Sequence, residues 1–518
     1  MTESIWDVVV AGAGPVGLAL ACELAVARCR VVVIERRAEI DPTIKAGGLG
    51  ALAGEALARL GLEPAMARAE LAMRQLMQET IAQAGGGPLL HGAGAPTNAK
   101  GKPIGGHFAG MFLIDQSVQA EPGRRSRGVN QQALEAMLHE RAAELGIEIR
   151  RGVELVGFTQ DDAGVELELR GAGRLRARYL VGCDGGRSAV RKLAGFEFPG
   201  TPPTLTGYQA IVELADPKAL LPLGWRRTPT GMMAYGPVPG RILLVELDGP
   251  PAERDAPVGL DELQAALRRV SGTAAVITAI KTATRWTDNA RQAARYRDRH
   301  VFLAGDAAHV HSPFGGQGLN LGIGDAANLG WKLAGSLHGW APGGVLDSYE
   351  AERHPVAARV LANTRAQIAL MRPGPHVDAL RDLVAELMGI DEVNRYFGAM
   401  LGGLDIRYPA RGDHPLAGRP CSDLALTPSH GEVVQSFALL QDGRALLVLD
   451  GDPARYAGHA DRVRVVQARI DRPGLGAVLL RPDGFVAWAA APGARDHAGL
   501  DDALHTWFVR RDGDTLPA

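Results

Sequence analysis

Two apolar blocks stand near the start of the chain, Val8-Val9-Val10-Ala11 and Val31-Val32-Val33-Ile34, with a helix-forming run from Leu18 to Ala27 between them. Short β-branched blocks of this kind predict buried strands, and the run between them predicts a crossover helix. The first strand leads into Gly12-Ala13-Gly14-Pro15-Val16-Gly17, and the second ends on an acid, Glu35. Strand, Gly-x-Gly-x-x-Gly turn, helix, strand and terminal acid together form a dinucleotide-binding pattern. Gly12 permits the tight turn. Gly14 lets the backbone approach a pyrophosphate, and Gly17 lets the helix pack on the strand. The helix N-terminus presents free amides and a positive dipole end to the phosphates. Glu35 is placed to accept a ribose hydroxyl.

Further along, the pattern predicts a helix around Gly54 to Leu60 and another from Gln131 to Leu145, where Leu134, Met137, Leu138 and Ala142 recur at helical spacing. Between them, residues 76–126 show no long helical period. Gly85-Gly86-Gly87, Gly92 to Pro96 and Gly105-Gly106 predict loops there. Strands are predicted at about 147–150, 153–158, 164–169 and 174–181. Residues 196–284 alternate strand-like runs, such as Gly207 to Leu214 and Arg241 to Leu247, with turns rich in Pro and Gly and a short helix near Leu260 to Val270. After Pro373 and Pro375, two amphipathic helices are predicted near Val377 to Met388 and Glu392 to Met400. A last unit starts at about Pro415. It has strands at Ala445 to Leu449 and Val463 to Gln467, a hairpin from Ala477 to Trp488 with a Pro-Asp-Gly tip, and a helix from Leu500 to Phe508. There is no internal repeat.

Two later motifs narrow the nucleotide. In Leu180-Val181-Gly182-Cys183-Asp184-Gly185-Gly186-Arg187-Ser188 a strand ends in an Asp-Gly turn. In Val301-Phe302-Leu303-Ala304-Gly305-Asp306-Ala307-Ala308-His309 a buried strand delivers Asp306 at its end. Pro313-Phe314-Gly315-Gly316-Gln317-Gly318-Leu319-Asn320 then opens a helix from about Gly318 to Leu337. In this order and spacing the three motifs resemble the FAD-dependent aromatic hydroxylases, the group A flavoprotein monooxygenases of the para-hydroxybenzoate hydroxylase and phenol hydroxylase superfamily. The polyketide-tailoring branch is the nearest match, and the resemblance covers nearly the whole chain. It implies an α/β protein with a discontinuous Rossmann-like FAD domain (1–75, 127–195 and 286–365) and a substrate domain with a mostly antiparallel sheet (76–126 and 196–285). A helical linker (366–414) and a C-terminal thioredoxin-like α/β domain (415–518) complete it. The last unit holds one cysteine, Cys421, and no Cys-x-x-Cys, so disulfide exchange is not supported. Its implied role is structural or in supporting a homodimer.

The resemblance also carries implied FAD contacts onto this chain. They are Gly12, Gly14, Pro15, Val16, Gly17 and Glu35, with Arg36 near the adenosine part, and Leu155 where the backbone passes adenine. Gln131 and Arg127, one helical turn earlier, match the region of the ribityl-phosphate. Arg291 matches the arginine that precedes the Gly-Asp strand. Asp306 is implied to accept from the ribityl chain, and Pro313, Gly316, Gly318, Leu319 and Asn320 form the flavin turn. Lys45-Ala46-Gly47 departs from the family turn Arg-x-Gly, in which the arginine helps to position a mobile isoalloxazine. Lysine keeps the charge but loses the planar fork, so cofactor contact survives while control of flavin movement is put in doubt.

The implied reaction inserts one oxygen atom from O2 into a phenolic or polycyclic aromatic, polyketide-like substrate through a flavin C4a-hydroperoxide, with NADPH or NADH as a transient donor. Baeyer–Villiger oxygenation of a carbonyl, or a flavoprotein reductase activity, would use the same frame. The cofactor carries the chemistry, so no protein nucleophile is required and no catalytic residue is assigned. Cys183-Asp184-Gly185 is placed near donor and flavin. His107, Tyr208, Trp225, Arg226, Met232, Met233 and Tyr235 fall in the substrate region, most of them as packing residues. A bulky, mostly apolar, phenolic ligand suits this set.

Composition adds exclusions. Lys plus Arg number 56 against 58 acids in 518 residues, a net charge of -2, which gives no case for nucleic acid or an anionic membrane. No apolar run reaches the ~18 residues of a membrane span. A strand starts within a few residues of Met1, so no signal peptide is read. Cys22, Cys29, Cys183 and Cys421 lack metal or redox spacing and suit buried thiols in a reducing cytoplasm. His309 and His311 are read as lining the flavin turn, and no metal site is expected.

Overall fold

The computed structural model describes residues 5–43, 45–83, 104–254, 256–410, 412–429, 431–494 and 496–509. The loops expected at Gly85-Gly86-Gly87 and Gly92 to Pro96 lie outside the described residues. The chain opens with β1 (Trp6–Ala11), α1 (Pro15–Val26) and β2 (Val31–Glu35), followed by α2 (Ala51–Arg59) and α3 (Glu63–Gln83). A hairpin of β3 (Ile104–Phe108) and β4 (Met111–Asp115) comes next, then α4 (Gln131–Glu144). β5 (Glu148–Arg151), β6 (Glu154–Asp161), β7 (Gly164–Arg170), β8 (Gly173–Gly182) and α5 (Ala189–Leu193) follow. The middle of the chain holds β9 (Gly200–Thr201), β10 (Thr206–Leu214), β11 (Gly224–Thr228), β12 (Gly231–Tyr235), β13 (Arg241–Glu246), α6 (Leu260–Ser271) and β14 (Ile277–Thr287).

The chain then returns through β15 (Ala290–Gln292), β16 (Arg297–Asp298), β17 (Val301–Leu303) and β18 (His309–Val310). Four helices follow: α7 (Gln317–His338), α8 (Asp347–Met371), α9 (Pro375–Leu387) and α10 (Asp391–Gly402). The last unit comprises β19 (Ala425–Pro428), β20 (Val434–Gln435), α11 (Ser436–Leu439), β21 (Ala445–Leu449), β22 (Val463–Ile470), β23 (Ala477–Leu480), β24 (Val486–Ala490) and α12 (His497–Trp507).

The first sheet runs β16-β17-β8-β1-β2-β5, with the β6–β7 hairpin extending from β8. β17, β8, β1, β2 and β5 are parallel neighbours, and Val8 faces Val31 across one pair and Tyr179 across the other. Val8, Val9, Val10, Val32 and Val33 are fully buried, because helices cover both faces of a parallel sheet. The second sheet, β11-β12-β13-β10-β14, is antiparallel. Its alternate residues serve two faces. Tyr208, Ala210, Met233, Tyr235, Ile242 and Leu244 pack with Leu263 and Leu267 of α6, while Met232, Ala234, Leu243 and Val245 join a cluster with Phe108 and Phe314. The C-terminal sheet, β20-β19-β22-β21-β23-β24, has β21 parallel to β22 and antiparallel to β23, with α12 following β24. This is the thioredoxin-like arrangement that the resemblance implies.

Four sequence expectations about elements and boundaries need correction. Residue 75, taken as a domain boundary, lies inside α3, a 21-residue helix of which Met66 and Glu70 are buried; its exposed surface leaves little apolar periodicity to read. Residue 285, another boundary, lies inside β14, and residue 365, a third, lies inside α8. That helix buries Glu352, Arg353, Asn363, Thr364 and Gln367 and contains Pro355, and both features hide its period. Gly105 and Gly106 are not loop residues but part of β3, paired with β4.

The hairpin tip Arg481-Pro482-Asp483-Gly484 fastens the C-terminal unit to the rest. Arg481 donates to Glu352 of α8 at 2.6 and 2.9 Å and to Asp483 at 3.0 and 2.5 Å. Lys332 of α7 donates to Glu352 at 2.7 Å, and Asn328 donates to Glu352 at 2.6 Å and to Asp483 at 3.2 Å. Arg59 of α2 closes the set on the Asp483 carbonyl at 2.7 Å. The rings of Trp507, Trp331 and Tyr408 stand 4.7, 5.1 and 5.1 Å from the Arg481 guanidinium and supply cation–π contact where water is excluded. Burial opposes the charge on Glu352, but Arg481 and Lys332 outweigh it and hold its carboxyl at about 2.

Replacing Glu352 with Gln leaves Arg481 and Lys332 short of their counter-charge in the interior. A loss of about 3–5 kcal/mol is expected, read as a lower urea midpoint. The folded pKa lies below the unfolded one, so the carboxylate stabilises the native state above pH 4.5 and that stabilisation is lost as pH falls toward 2. The Glu352→Gln variant should therefore show a shallower acid-side fall in stability than the parent.

Candidate functional site

Two helix N-termini define the site. α1 starts from Gly14 and α7 from Gly316, and neither has a side-chain cap, so their first-turn amides are left for a ligand. The helices lie close together. A Cβ at Gly322 of α7 would stand 2.5 Å from Val16 of α1, and one at Gly330 would stand 2.6 Å from Glu23. At the turn itself, a Cβ on Gly17 would meet the Gly12 carbonyl at 2.0 Å, and Gly12 sits at φ +109° against the carbonyl of Cys183. Gly14 and Gly316 face free space instead, with no heavy atom within 4 Å of where their Cβ would be. That cradle fits an extended dinucleotide, with backbone amides toward its phosphates and room for close approach. Glu35 accepts from the Ala13 amide and from the Arg37 amide, each at 2.9 Å, which fixes its carboxylate at the mouth of the glycine turn.

The wall beside the start of α7 is the segment Lys45 to Gly50. Gln131 holds it through a backbone bond to Ala46 at 3.1 Å, and its side chain accepts from the Ala46 amide at 3.4 Å. Arg127 pairs with Leu49 in both directions, at 3.0 and 2.7 Å. Asn320 accepts from Gly50 at 2.7 Å and donates to the Gly316 carbonyl at 2.7 Å, tying this wall to the start of α7. Gln131 and Asn320 thus build the cradle as well as border it. The guanidinium of Arg127 turns away, to Glu63 at 2.6 Å and Glu70 at 3.4 Å. Lys45 is half-exposed and pairs with Asp41 at 2.9 Å.

Asp306 stands in the turn after β17, exposed and with no hydrogen-bond partner among the described residues. Asp325 of α7 sets that turn from behind. It accepts from the Gly305 amide at 3.0 Å, from His309 at 2.6 Å and from Arg353 at 2.7 Å. Burial would raise the Asp325 carboxyl, but Arg353 and His309 outweigh it and hold it below its ordinary range. His309 is therefore a support behind the turn and does not line it. His311 does line it, with its Nε2 beside Gly318 and its Nδ1 donating to Ser312 at 2.7 Å; burial lowers its pKa and keeps it neutral. Asp184 accepts from the first-turn amides of α5, Ala189 at 2.6 Å and Val190 at 3.1 Å, beside the Ser188 cap, while burial raises the Cys183 thiol and the Asp184 carboxyl.

The remaining expected contacts are more scattered. Arg36 is exposed. Leu155 is buried at the start of β6, just after Gly152 and Val153 bond to Arg37 and Glu35. Arg291 sits on β15, donates to the Phe198 carbonyl at 3.2 Å and pairs with Val310 of β18. Pro313 accepts from Gly316 at 3.0 Å to close the flavin turn, and Leu319 packs into the main core.

Above the turn lies the second sheet. Trp286 of β14 spans Gly207, where a Cβ would clash with the indole at 2.1 Å, and meets Phe314 edge-on at 5.5 Å. His107 stands 4.8 Å from Phe112 and 5.7 Å from Trp225, and burial pushes its pKa down to about 4, so it is neutral near pH 7. Of the substrate-region candidates, Trp225, Met232 and His107 face this side. Tyr208, Met233 and Tyr235 face α6, and Arg226 bonds to the carbonyls of Leu220 and Pro222. Trp286 and Gln209 escaped the sequence pattern because only strand pairing brings them over the turn. Among the described residues, no group of three or more His, Cys, Asp or Glu is placed to hold a metal ion, and no helix is long and apolar enough to cross a membrane.

A nucleotide cradle of two uncapped helices beneath an aromatic-faced antiparallel sheet is the architecture of an FAD-dependent monooxygenase. Comparison with known proteins agrees. Residues 6–364 match the FAD binding domain family, and residues 414–510 match the aromatic-ring hydroxylase C-terminal family. The chain is 40% identical to the 12-dehydrotetracycline 5-monooxygenase/anhydrotetracycline 6-monooxygenase of Streptomyces rimosus subsp. rimosus, over 97% of this chain and 99% of that one. It is 36% identical to a dialkyldecalin synthase of Streptomyces rugosporus, over 97% of this chain and 98% of the relative. The solved structure of CabE, an aromatic hydroxylase from angucycline biosynthesis, superposes with a TM-score of 0.84 at 35% identity, covering 98% of this chain and 100% of that one. The chain belongs to the family of FAD-dependent aromatic-ring hydroxylases.

The two acids at the strand ends should behave differently. Asp306→Ala should weaken FAD retention about ten- to a hundredfold, the scale of one charged hydrogen bond, with the melting temperature of the apoprotein unchanged. Asp184→Ala removes the acceptor of the first two α5 amides and should lower the melting temperature with a smaller effect on FAD affinity. Equal FAD dissociation constants for the parent and Asp306→Ala would contradict the assignment.

Proposed function

We propose that this protein is an NAD(P)H-dependent FAD monooxygenase that inserts one atom of molecular oxygen into a phenolic or polycyclic aromatic substrate of polyketide type. The observation that carries the reading is the close packing of two helices with uncapped N-termini, α1 and α7, with Phe314 just before α7 meeting Trp286 of the antiparallel sheet. Gly12, Gly14, Pro15, Val16, Gly17 and Glu35 would hold the adenosine and pyrophosphate end, with Arg36 and Leu155 beside it. Asp306 and the Pro313 to Asn320 turn would hold the riboflavin end. When bound, FAD takes up reducing equivalents from the nicotinamide donor and activates oxygen. The chain supplies the surroundings. The amides at the start of α7 favour negative charge at the flavin end. Gln131 and Asn320 keep the Lys45 to Gly50 wall in place. Trp286, Phe314, Leu243 and Val245 form an apolar cover that excludes water and suits a flat aromatic ligand. Four buried or half-buried free cysteines are in keeping with a reducing cytoplasm.

One relative is named as a synthase, so the isotope result and not the fold decides the reaction. The purified protein should release FAD, not FMN, on heating. With a hydroxylated polycyclic aromatic, NADPH or NADH, and oxygen-18 gas, the product should gain one labelled atom, with one donor consumed per coupled turnover. Label arriving only from water, or undiminished turnover without oxygen, would contradict the proposal.

A further inference from the structure

One nitrogen of the flavin turn has nothing to bond to. His311 follows β18 and opens the turn that leads into α7. Its Nδ1 lies 2.7 Å from the Ser312 carbonyl. A carbonyl only accepts, so Nδ1 carries the proton and Nε2 presents a lone pair. That Nε2 is buried and has no hydrogen-bond partner among the described residues. It stands 3.5 Å from where a Gly318 Cβ would be, beside the first turn of α7, whose amides have no side-chain cap. The neighbouring His309 differs. Its Nε2 is committed to Asp325 at 2.6 Å, behind the turn.

The charges around His311 decide when that lone pair takes a proton. Burial lowers the pKa of the ring, and His309 adds to the lowering, while the Ser312 carbonyl and Asp306 oppose it. The other ionisable groups of the surrounding elements are engaged. Asp325 of α7 is shared by His309 and Arg353 of α8, Arg291 of β15 donates to the Phe198 carbonyl, and Lys45 of the cradle wall faces Asp41. Asp306, exposed in the turn after β17, is the one acid that favours the charged ring. The uncapped start of α7 disfavours it, because a helix N-terminus repels positive charge. The ring is therefore neutral near pH 7 until negative charge arrives at that helix end. An anion there would reverse the balance, by an attraction that is stronger away from bulk water.

We propose that His311 Nε2 is a redox-linked proton acceptor of the flavin site, neutral while the cofactor is oxidised and protonated from solvent when the cofactor is reduced. The donor's hydride carries both electrons and the proton that the flavin keeps, which leaves the reduced flavin anionic. The second proton comes from solvent, rests on Nε2 and returns to solvent when the flavin is reoxidised. The site then holds two charges of opposite sign in place of one buried anion. The inference rests on the FAD reading above, and it concerns the reduction step alone, before oxygen or substrate takes part.

The test uses the FAD-loaded protein with its 14 histidines labelled with nitrogen-15. Spectra are recorded at pH 7, first oxidised and then after anaerobic reduction with dithionite. The His311 resonances are those missing from His311→Gln, a side chain that keeps polar atoms but cannot titrate. In the oxidised protein they should show the Nδ1–H pattern with an unprotonated Nε2. On reduction the unprotonated-nitrogen signal should be lost and the imidazolium pattern should appear. The flavin midpoint potential gives a second readout. The parent should lie above His311→Gln at pH 7, and the gap should narrow by about 30 mV per pH unit toward pH 9, the value for one extra proton in a two-electron couple. A His311 ring neutral in both states, or already charged in the oxidised state, would overturn the proposal. So would a gap that does not change with pH. Should His311→Gln not retain FAD, His311→Asn takes its place, and a parent spectrum in which no histidine changes state on reduction gives the same contradiction. A protein that carries no FAD would overturn the FAD reading itself, whereas bound FAD with an unchanged His311 overturns this inference alone.

Discussion

The close contact of α1 with α7 is the constraint on which the rest of the molecule depends. Gly322 and Gly330 remove side chains from one helix where the side chains of Val16 and Glu23 of the other press in, so the two helices pack closely. Both N-termini then open toward one cleft, and neither is closed by a side-chain cap. A nucleotide-binding turn and a flavin turn more than three hundred residues apart in sequence become one cradle. The parallel sheet contributes by fixing where each helix starts, since β1 and β17 both flank β8.

Polar groups inside the protein maintain this geometry at one remove from the ligand. Asp325, itself on α7, fixes the Gly305 turn, and Arg353 and His309 hold Asp325. Farther back, Lys332 on the same helix joins Glu352 and the Arg481 tip of the C-terminal hairpin. The C-terminal unit thus braces the far half of the cofactor helix, a structural role in line with its single buried Cys421. Where the family turn has an arginine, Lys45 turns out to Asp41, and Arg241 reaches the same wall from the substrate sheet.

The parts of this architecture that repeat a local pattern were legible in the chain. β2 spans Val31–Glu35 as read, α4 and α6 fall within a residue or two of their apolar periods, and the Pro-Asp-Gly tip joins two paired strands. Both glycine turns and Asp306 stand where their motifs put them. What was hidden had a physical reason. α8 fills its buried face with Glu352, Arg353 and Gln367, partnered by residues far away in sequence, so no hydrophobic period marks it. α3 lies mostly in solvent. Arg127 and His309 carry the right residue type beside the right motif, yet their side chains answer to Glu63, Glu70 and Asp325, and such pairing becomes visible only in three dimensions. Arg241, Gln209 and Trp286 are ordinary strand residues until β10, β13 and β14 are paired.

The most direct test is the FAD dissociation constant of Gly322→Val set against that of Gly343→Val, measured by flavin fluorescence on apoprotein whose far-UV circular dichroism matches the parent. Gly322 faces Val16 across the helix contact, whereas a Cβ at Gly343 meets nothing within 4 Å. If the α1–α7 contact sets the cradle, Gly322→Val should bind FAD about tenfold or more weakly, at least about 1.4 kcal/mol, with Gly343→Val at the parent value. Parent-like FAD affinity in Gly322→Val would show that the cradle does not depend on that contact and would contradict the account.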